Sequence, residues 1–221
     1  MASRPVFIPN PSVAGLVQEA SFNIEWNSGF APSQKKKNVI ALHEAAALAG
    51  YTPLLEISTK SEEKLGQHLS AFHLKVSVAG RDIPLESAFQ GSKVFEGGGP
   101  FVDLYCADPR SAKRDPRLQS SGDLIRFEFE GLHFPLNPKT AFYDWLYVKA
   151  LFPHRDWLAR LRRYAGFTDI EFNPQRSINC QARSCALFVS LRSEDLLEAA
   201  VKSPECFLSL MAFYTYLPRM A

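Results

Sequence analysis

Long apolar runs are what this chain most plainly lacks. Nowhere in its 221 residues do about 18 apolar residues follow one another, so no membrane-spanning helix is expected. The opening Met1-Ala2-Ser3-Arg4-Pro5 has no apolar core of the kind a secretory signal carries, and the expected location is the cytoplasm. Cysteine is scarce. Cys106, Cys180, Cys185 and Cys206 form no C-x-x-C pair and fall at no zinc-finger spacing with histidine, which argues against a disulfide framework and a structural metal. There is no P-loop, no G-x-G-x-x-G turn, no internal repeat and no low-complexity linker. The histidines (His43, His68, His73, His133 and His154) are scattered, without a Ser/Asp pattern nearby, and receive no chemistry. A net charge of +2 is too mild to identify a nucleic-acid partner.

What is present is ordinary globular composition, 46% hydrophobic and 22% charged, in a chain long enough for one sizeable core. The expected fold is α+β: a single helix-rich domain over residues 1–221 with a small sheet. Residues 1–15 are Pro-rich and read as an extended N-terminal arm. Residues 21–26 alternate with period two, as a strand does. Ser33 is placed to cap a helix running to Ala49, where Gly50 stops it. Leu54–Ser58 reads as a short strand, and Gly80-Arg81-Asp82 as a turn. A helix is expected from Pro84 to Phe95, ended by Gly97-Gly98-Gly99-Pro100. Residues 106–122 read as a polar loop. Leu124–Glu130 and Leu132–Leu136 flank Gly131 as a hairpin. Helices are expected at 140–152, 154–164, 179–192 and 194–217, the last broken at Ser203-Pro204.

The segment richest in chemistry is Ile83 to Phe95. On a helix, Glu86, Gln90 and Lys93 stand at i, i+4 and i+7 and share a stripe bordered by Leu85, Phe89 and Ser92. That suits a cleft wall, where a Glu and a Lys perturb one another's protonation. By spacing alone, the same row also fits an exposed ion pair worth about 0.3–0.5 kcal/mol. Two basic clusters, Arg110/Lys113/Arg114/Arg117 and Arg155/Arg160/Arg162/Arg163, fit either a phosphate backbone or a salt-bridged surface.

The run Leu69-Ser70-Ala71-Phe72, then Gly80, then Pro84 to Lys93 resembles the signature of the NADAR superfamily. Pro84, Glu86, Gln90 and Lys93 match its helix. Ala71 stands where that family usually has Asn. Phe167–Pro174 followed by Ser177–Ser184 resembles the family's C-terminal acidic loop and the Asn-bearing helix start, without the usual Trp-Gly. Arg4–Pro9, Leu55–Ser58, Phe89–Lys93, Phe142–Tyr147 and the 167–184 segment are similar to a subgroup, the DarT-associated NADAR antitoxins, related to YbiA-like proteins. The likeness spans most of residues 4–192. It implies an N-glycosidase that removes ADP-ribose from guanine in DNA modified by a DarT-like toxin, with ADP-ribose as product and ADP-ribosylated DNA and that toxin as partners.

Cleaving an N-glycosidic bond at an anomeric carbon builds positive charge on the sugar and negative charge on the leaving base, so it calls for a carboxylate and an acid. Glu86 is the first candidate carboxylate, and Asp169 a second. Lys93 either pairs with phosphate or attacks the ribose aldehyde as a Schiff-base nucleophile. Gln90, Ser58, Lys60, Glu171, Asn179, Arg183 and Trp145 are the expected substrate contacts. For each a plain alternative stands: a polar turn at Ser58–Ser61, a surface salt bridge at Arg183, a core aromatic at Trp145, a mere helix stop at the glycine run. No cofactor or metal is expected. Two other classes remain open, a YbiA-like N-glycosidase acting on a small nucleotide-derived metabolite and a non-catalytic ADP-ribose-binding module.

Overall fold

The computed structural model describes residues 1–29 and 31–216. The chain begins with an antiparallel hairpin, β1 (Ala2–Pro9) and β2 (Val17–Ile24), paired from Ala2↔Ile24 to Pro9↔Val17. The Pro-rich N-terminus is therefore extended, as expected, but it is a strand inside a sheet and not an arm. Beyond β2 its other neighbour meets it only at Phe7, which leaves the rest of that flank without a strand partner, the setting in which proline is tolerated. Helix α1 (Pro32–Leu48) opens on Pro32 with Ala31 as its unbonded cap, so Ser33 does not cap it; Gly50, at φ 89, ends it as expected.

Next come β3 (Leu54–Glu56), α2 (Lys64–His68) and a tight hairpin of β4 (Lys75–Val78) and β5 (Arg81–Pro84). Helix α3 (Leu85–Gly91) is shorter than its sequence suggested. Ser92 closes it by turning its hydroxyl back onto the Ala88 carbonyl at 2.7 Å. The residues that follow become a strand, β6 (Lys93–Phe95), because they pair with a later strand. At Gly91 a Cβ would lie 2.6 Å from the Tyr105 ring, so the helix needs glycine to pack there.

The expected polar loop holds two short helices, α4 (Pro109–Lys113) and α5 (Arg117–Ser120). Asp108 caps the first, accepting from the amides of Arg110 and Ser111 at 3.0 and 3.1 Å. The hairpin around Gly131 forms as read, from β7 (Leu124–Phe129) and β8 (Leu132–Phe134). Then follow α6 (Ala141–Leu151), tight 3-10 turns at Phe152–His154 and Trp157–Arg163 where an α-helix was expected, and β9 (Gly166–Thr168). The chain continues with α7 (Gln181–Ser193), α8 (Leu197–Lys202) and α9 (Pro204–Tyr216); the break falls at Ser203, whose hydroxyl accepts from the Cys206 amide at 3.2 Å. Residue 217 of the expected last helix lies outside the described residues.

The architecture is α+β. A four-stranded sheet has the order β2-β1-β9-β3, with β3 and β9 parallel; β4-β5 and β6-β7-β8 form smaller sheets. Helix α6 is the centre of the core. Ten of its eleven residues are buried, the signature of a helix apolar all round. Phe142 stacks on Phe127 at 4.6 Å, and Trp145 leans on Phe134 at 4.9 Å. Among the described residues no helix is long and apolar enough to cross a membrane.

Candidate functional site

Helix α3 and strand β6 form one wall of a cleft of about 710 Å³, within the range of ligand pockets. Glu86 and Gln90 come from α3 and Lys93 from β6, so the expected helical stripe is a helix-to-strand corner instead. The side chains nonetheless converge. Gln90 Nε2 donates to Glu86 Oε1 at 3.0 Å, and Lys93 Nζ donates to Gln90 Oε1 at 2.6 Å. The Gln90 amide thus bridges an acceptor and a cation, which fixes its orientation. Lys113, from α4, brings its Nζ to 3.4 Å from the same Glu86 oxygen. Glu86 and Gln90 are each only 5% exposed, so the row is a buried network and not a solvated ion pair.

Burial lowers the Lys93 pKa from its ordinary value; Lys113 adds to that, and Glu86 opposes it. A larger neutral fraction of its amine follows. Lys93 Nζ also lies 5.1 Å from the centre of the Phe89 ring. Tyr143, from α6, meets Phe89 edge-on at 5.1 Å and lines the cleft.

The opposite wall follows β9. Asp169 lines the cleft and is 8% exposed. Burial first, then the charge of Glu56 behind it, pushes its carboxyl up to about 8. At neutral pH this group is an acid that can donate. Its Oδ1 accepts from the Glu171 amide at 3.0 Å. Glu171 also lines the cleft, paired with Lys35 at 3.4 Å. Asn179 closes this side, and its buried Oδ1 has no hydrogen-bond partner among the described residues. Gln181 holds the Ala71 amide at 2.8 Å, which pins the segment where the NADAR signature departs from Asn. Lys139 and Arg176 complete the rim. Lys113, Lys139 and Arg176 together suit a pyrophosphate.

Of the expected site residues, Glu86, Gln90, Lys93, Asp169, Glu171 and Asn179 meet in this cleft. Four do not. Ser58 is buried and gives its hydroxyl to Glu56 at 2.6 Å, while the Lys60 amide donates to Ser58 at 3.1 Å; neither residue reaches the cleft. Trp145 is fully buried among Phe129, Phe134 and Phe142, so the core reading wins. Arg183 is bound to the buried Asp144 and not to the cleft. The glycine run is likewise off the site: the Gly97 amide donates to Ser121 at 2.8 Å and that of Gly98 to Phe95 at 3.3 Å. The basic clusters are largely engaged, Arg117 with Asp103 and Asp115, Arg163 with Glu63, and Arg160 over the Trp157 ring.

Sequence reading did not place Tyr143, Lys139, Arg176 or Gln181 among the site residues. Gln181 had a signal, since it lies two residues from Asn179 in the matched segment. Lys139 and Arg176 had none beyond their charge. A second hollow of about 890 Å³, lined by His68, His73, His154 and Trp157, lies behind the Ser70–Leu74 segment. Among the described residues no group of three or more His, Cys, Asp or Glu is arranged to hold a metal ion.

No curated protein matches the chain. The family model described as DarT1-associated NADAR antitoxin matches residues 2–217. That match takes in every element from β1 to α9 and every cleft residue named above, and the chain belongs to the DarT1-associated NADAR antitoxin family.

Proposed function

We propose that the protein is a cytoplasmic N-glycosidase that hydrolyses the bond between ADP-ribose and guanine in ADP-ribosylated DNA, and so reverses the mark left by a DarT-like toxin. One observation carries the reading: a buried carboxyl on α3, an amine whose burial lowers its basicity and a second carboxyl whose burial raises its pKa all line a single cleft. A binding module has no need of that combination.

The chemistry runs as follows. The pyrophosphate sits among the rim cations, and the anomeric carbon faces Glu86 and Lys93. The neutral Lys93 amine attacks that carbon as the bond to guanine breaks. The electron pair goes to the guanine nitrogen, which takes the Asp169 proton. The alkylated Lys93 nitrogen returns one proton to Asp169 and gives its other to the ring oxygen as that carbon–oxygen bond breaks, so the ribose opens to a Schiff base. Water then adds to the same carbon, one of its protons reaching the nitrogen through Glu86; the carbon–nitrogen bond breaks, the remaining water proton leaves with Lys93 as the free amine, and the aldehyde form of ADP-ribose is left. The sum is one water consumed, ADP-ribose released and the guanine of the DNA restored. The burial that lowers the basicity of Lys93 favours this role over simple phosphate pairing.

The test is release of free ADP-ribose from an oligonucleotide carrying ADP-ribosylated guanine, with wild type beside Lys93→Ala and Glu86→Gln. Release by wild type only is the expected result. Full turnover by both variants removes this site assignment. No release by wild type, with turnover of a small N-riboside phosphate, moves the activity to a metabolite.

A further inference from the structure

We infer that Glu56, sealed behind the cleft, is a positioning residue that fixes Asp169 at the cleft wall as its proton donor. The inference rests on the glycosidase reading. Glu56 ends β3, and its register partner on the parallel β9 is Thr168. Its Oε2 accepts from the Thr168 hydroxyl at 2.7 Å, and its Oε1 from the Ile170 amide at 2.9 Å and the Ser58 hydroxyl at 2.6 Å. The residues on either side of Asp169 are therefore both held by one carboxylate, and Asp169 is clamped between them. The Ile57 amide adds a bond to the Thr168 carbonyl at 2.7 Å.

Burial raises the Glu56 pKa, and its partners oppose that shift: every one of them is a donor, which suits an ionised carboxylate. An unpaired buried charge is expensive to keep, and an apolar side chain would fill the space without it. Its retention points to a use, which the cleft supplies. Thr168 has one hydroxyl proton and gives it to Glu56, so it must accept from His43, whose Nε2 lies at 2.9 Å. That fixes His43 as the Nε2–H tautomer. Burial holds His43 down to about 4, against the pull of Glu63, so it is neutral at working pH.

The groups facing Asp169 are Glu56 from β3, Glu171 beyond β9, Cys180 before α7, and Tyr143 and Tyr147 from α6, with Gln181 as a hydrogen-bond partner. After burial itself, the charge of Glu56 does most to keep Asp169 protonated. Glu56 thus sets both the place and the protonation of the acid without touching substrate.

Glu56→Gln tests this with little disturbance. Its amide oxygen still accepts from Ser58 and Ile170. Its NH2 donates to Thr168, whose proton then turns to His43 in the other tautomer. Every bond survives and only the charge goes. The measurement is kcat/KM for ADP-ribosylated oligonucleotide from pH 5 to 10. In wild type the alkaline fall is expected near pH 8, following Asp169. In Glu56→Gln it moves down by about a unit or more, giving ~tenfold lower activity at pH 9 and little change at pH 6. An unmoved fall, or an equal loss at every pH with a lowered melting temperature, overturns the inference. If Glu56→Gln does not fold, Thr168→Val is expected to move the fall in the same direction, and Thr168→Ser to leave it in place; an unmoved fall in Thr168→Val overturns the inference too. The Asp169 carboxyl is also titrated directly by 13C NMR. If wild type proves inactive on DNA, a lowered Asp169 titration in Glu56→Gln still upholds the link, and an unchanged one refutes it.

Discussion

The guanidinium of Arg183 is bound to Asp144, which is 4% exposed and also accepts from the Ser184 hydroxyl at 2.7 Å. The pair ties α6 to α7, the two helices at the middle of the core. Asp144→Leu leaves a mostly buried guanidinium with no counter-charge, a loss of about 3–5 kcal/mol. For a chain of this size each kcal/mol lowers the melting temperature by ~2–4 °C, so a fall on the order of 10 °C is expected. Arg183→Met strands the carboxylate instead and is expected to cost a similar amount. The double variant Asp144→Leu/Arg183→Met removes both charges, and most of the lost stability returns. Thermal melts of all four proteins give the interaction energy by a double-mutant cycle, expected at about 2 kcal/mol or more. KM for ADP-ribosylated oligonucleotide is measured beside it and should rise less than threefold in the double variant. An Arg183→Met protein that melts like wild type, with KM raised tenfold or more, refutes this reasoning and makes Arg183 a phosphate ligand.

Asp169→Asn keeps the cleft's shape but has no proton to give; kcat should fall by about 10²–10⁴ and the alkaline limb near pH 8 should disappear from the pH–rate profile. Lys93→Arg keeps a cation at the same corner and loses a nucleophilic amine, so activity is expected to vanish with substrate affinity retained in equilibrium binding; borohydride added during wild-type turnover should leave a reduced adduct on Lys93 in the peptide mass map, and its absence would return Lys93 to phosphate pairing. His43 predicts acid sensitivity. Its pKa is about 4 folded and about 6.5 unfolded, so the unfolded chain binds the proton more tightly, and stability is lost as pH falls from 6.5 through 4. The loss amounts to at most about 3 kcal/mol, read by urea unfolding, and should be absent from the slope of a His43→Gln variant.

The legible parts of this fold were those written in local chemistry. Gly131 between two alternating runs, Gly50 at a helix end and Ser203-Pro204 at a break all declare themselves within a few residues, and each stands where it was read. The Glu86/Gln90/Lys93 grouping was legible as well, yet for an incomplete reason. Lys93 keeps company with Gln90 although the helix stops at Gly91, because pairing of β6 with β7 aims the next side chain into the same cleft. That pairing joins residues some thirty apart and leaves no mark on either segment alone. Asp169 owes its raised pKa first to burial and then to Glu56, which is 113 positions earlier, and no periodicity could join them. Trp145 and Arg183 misled for a related reason: their residue types suit a nucleotide site, but a core aromatic and a buried ion pair use the same atoms.

The order of strands across the main sheet has a consequence in time. β1 is made first and lies in the interior of that sheet, yet one of its two neighbours, β9, is at residues 166–168, and β3 can complete its own pairing only with that same late strand. The first hairpin can form as soon as it is synthesised, but the sheet must wait for most of the chain. Such long-range closure slows folding. Asp169 comes directly after β9, so the acid is delivered by the last strand to arrive. A partly made or partly unzipped chain therefore presents a hairpin and helices without an assembled cleft, and a nascent molecule gains the proposed site all at once.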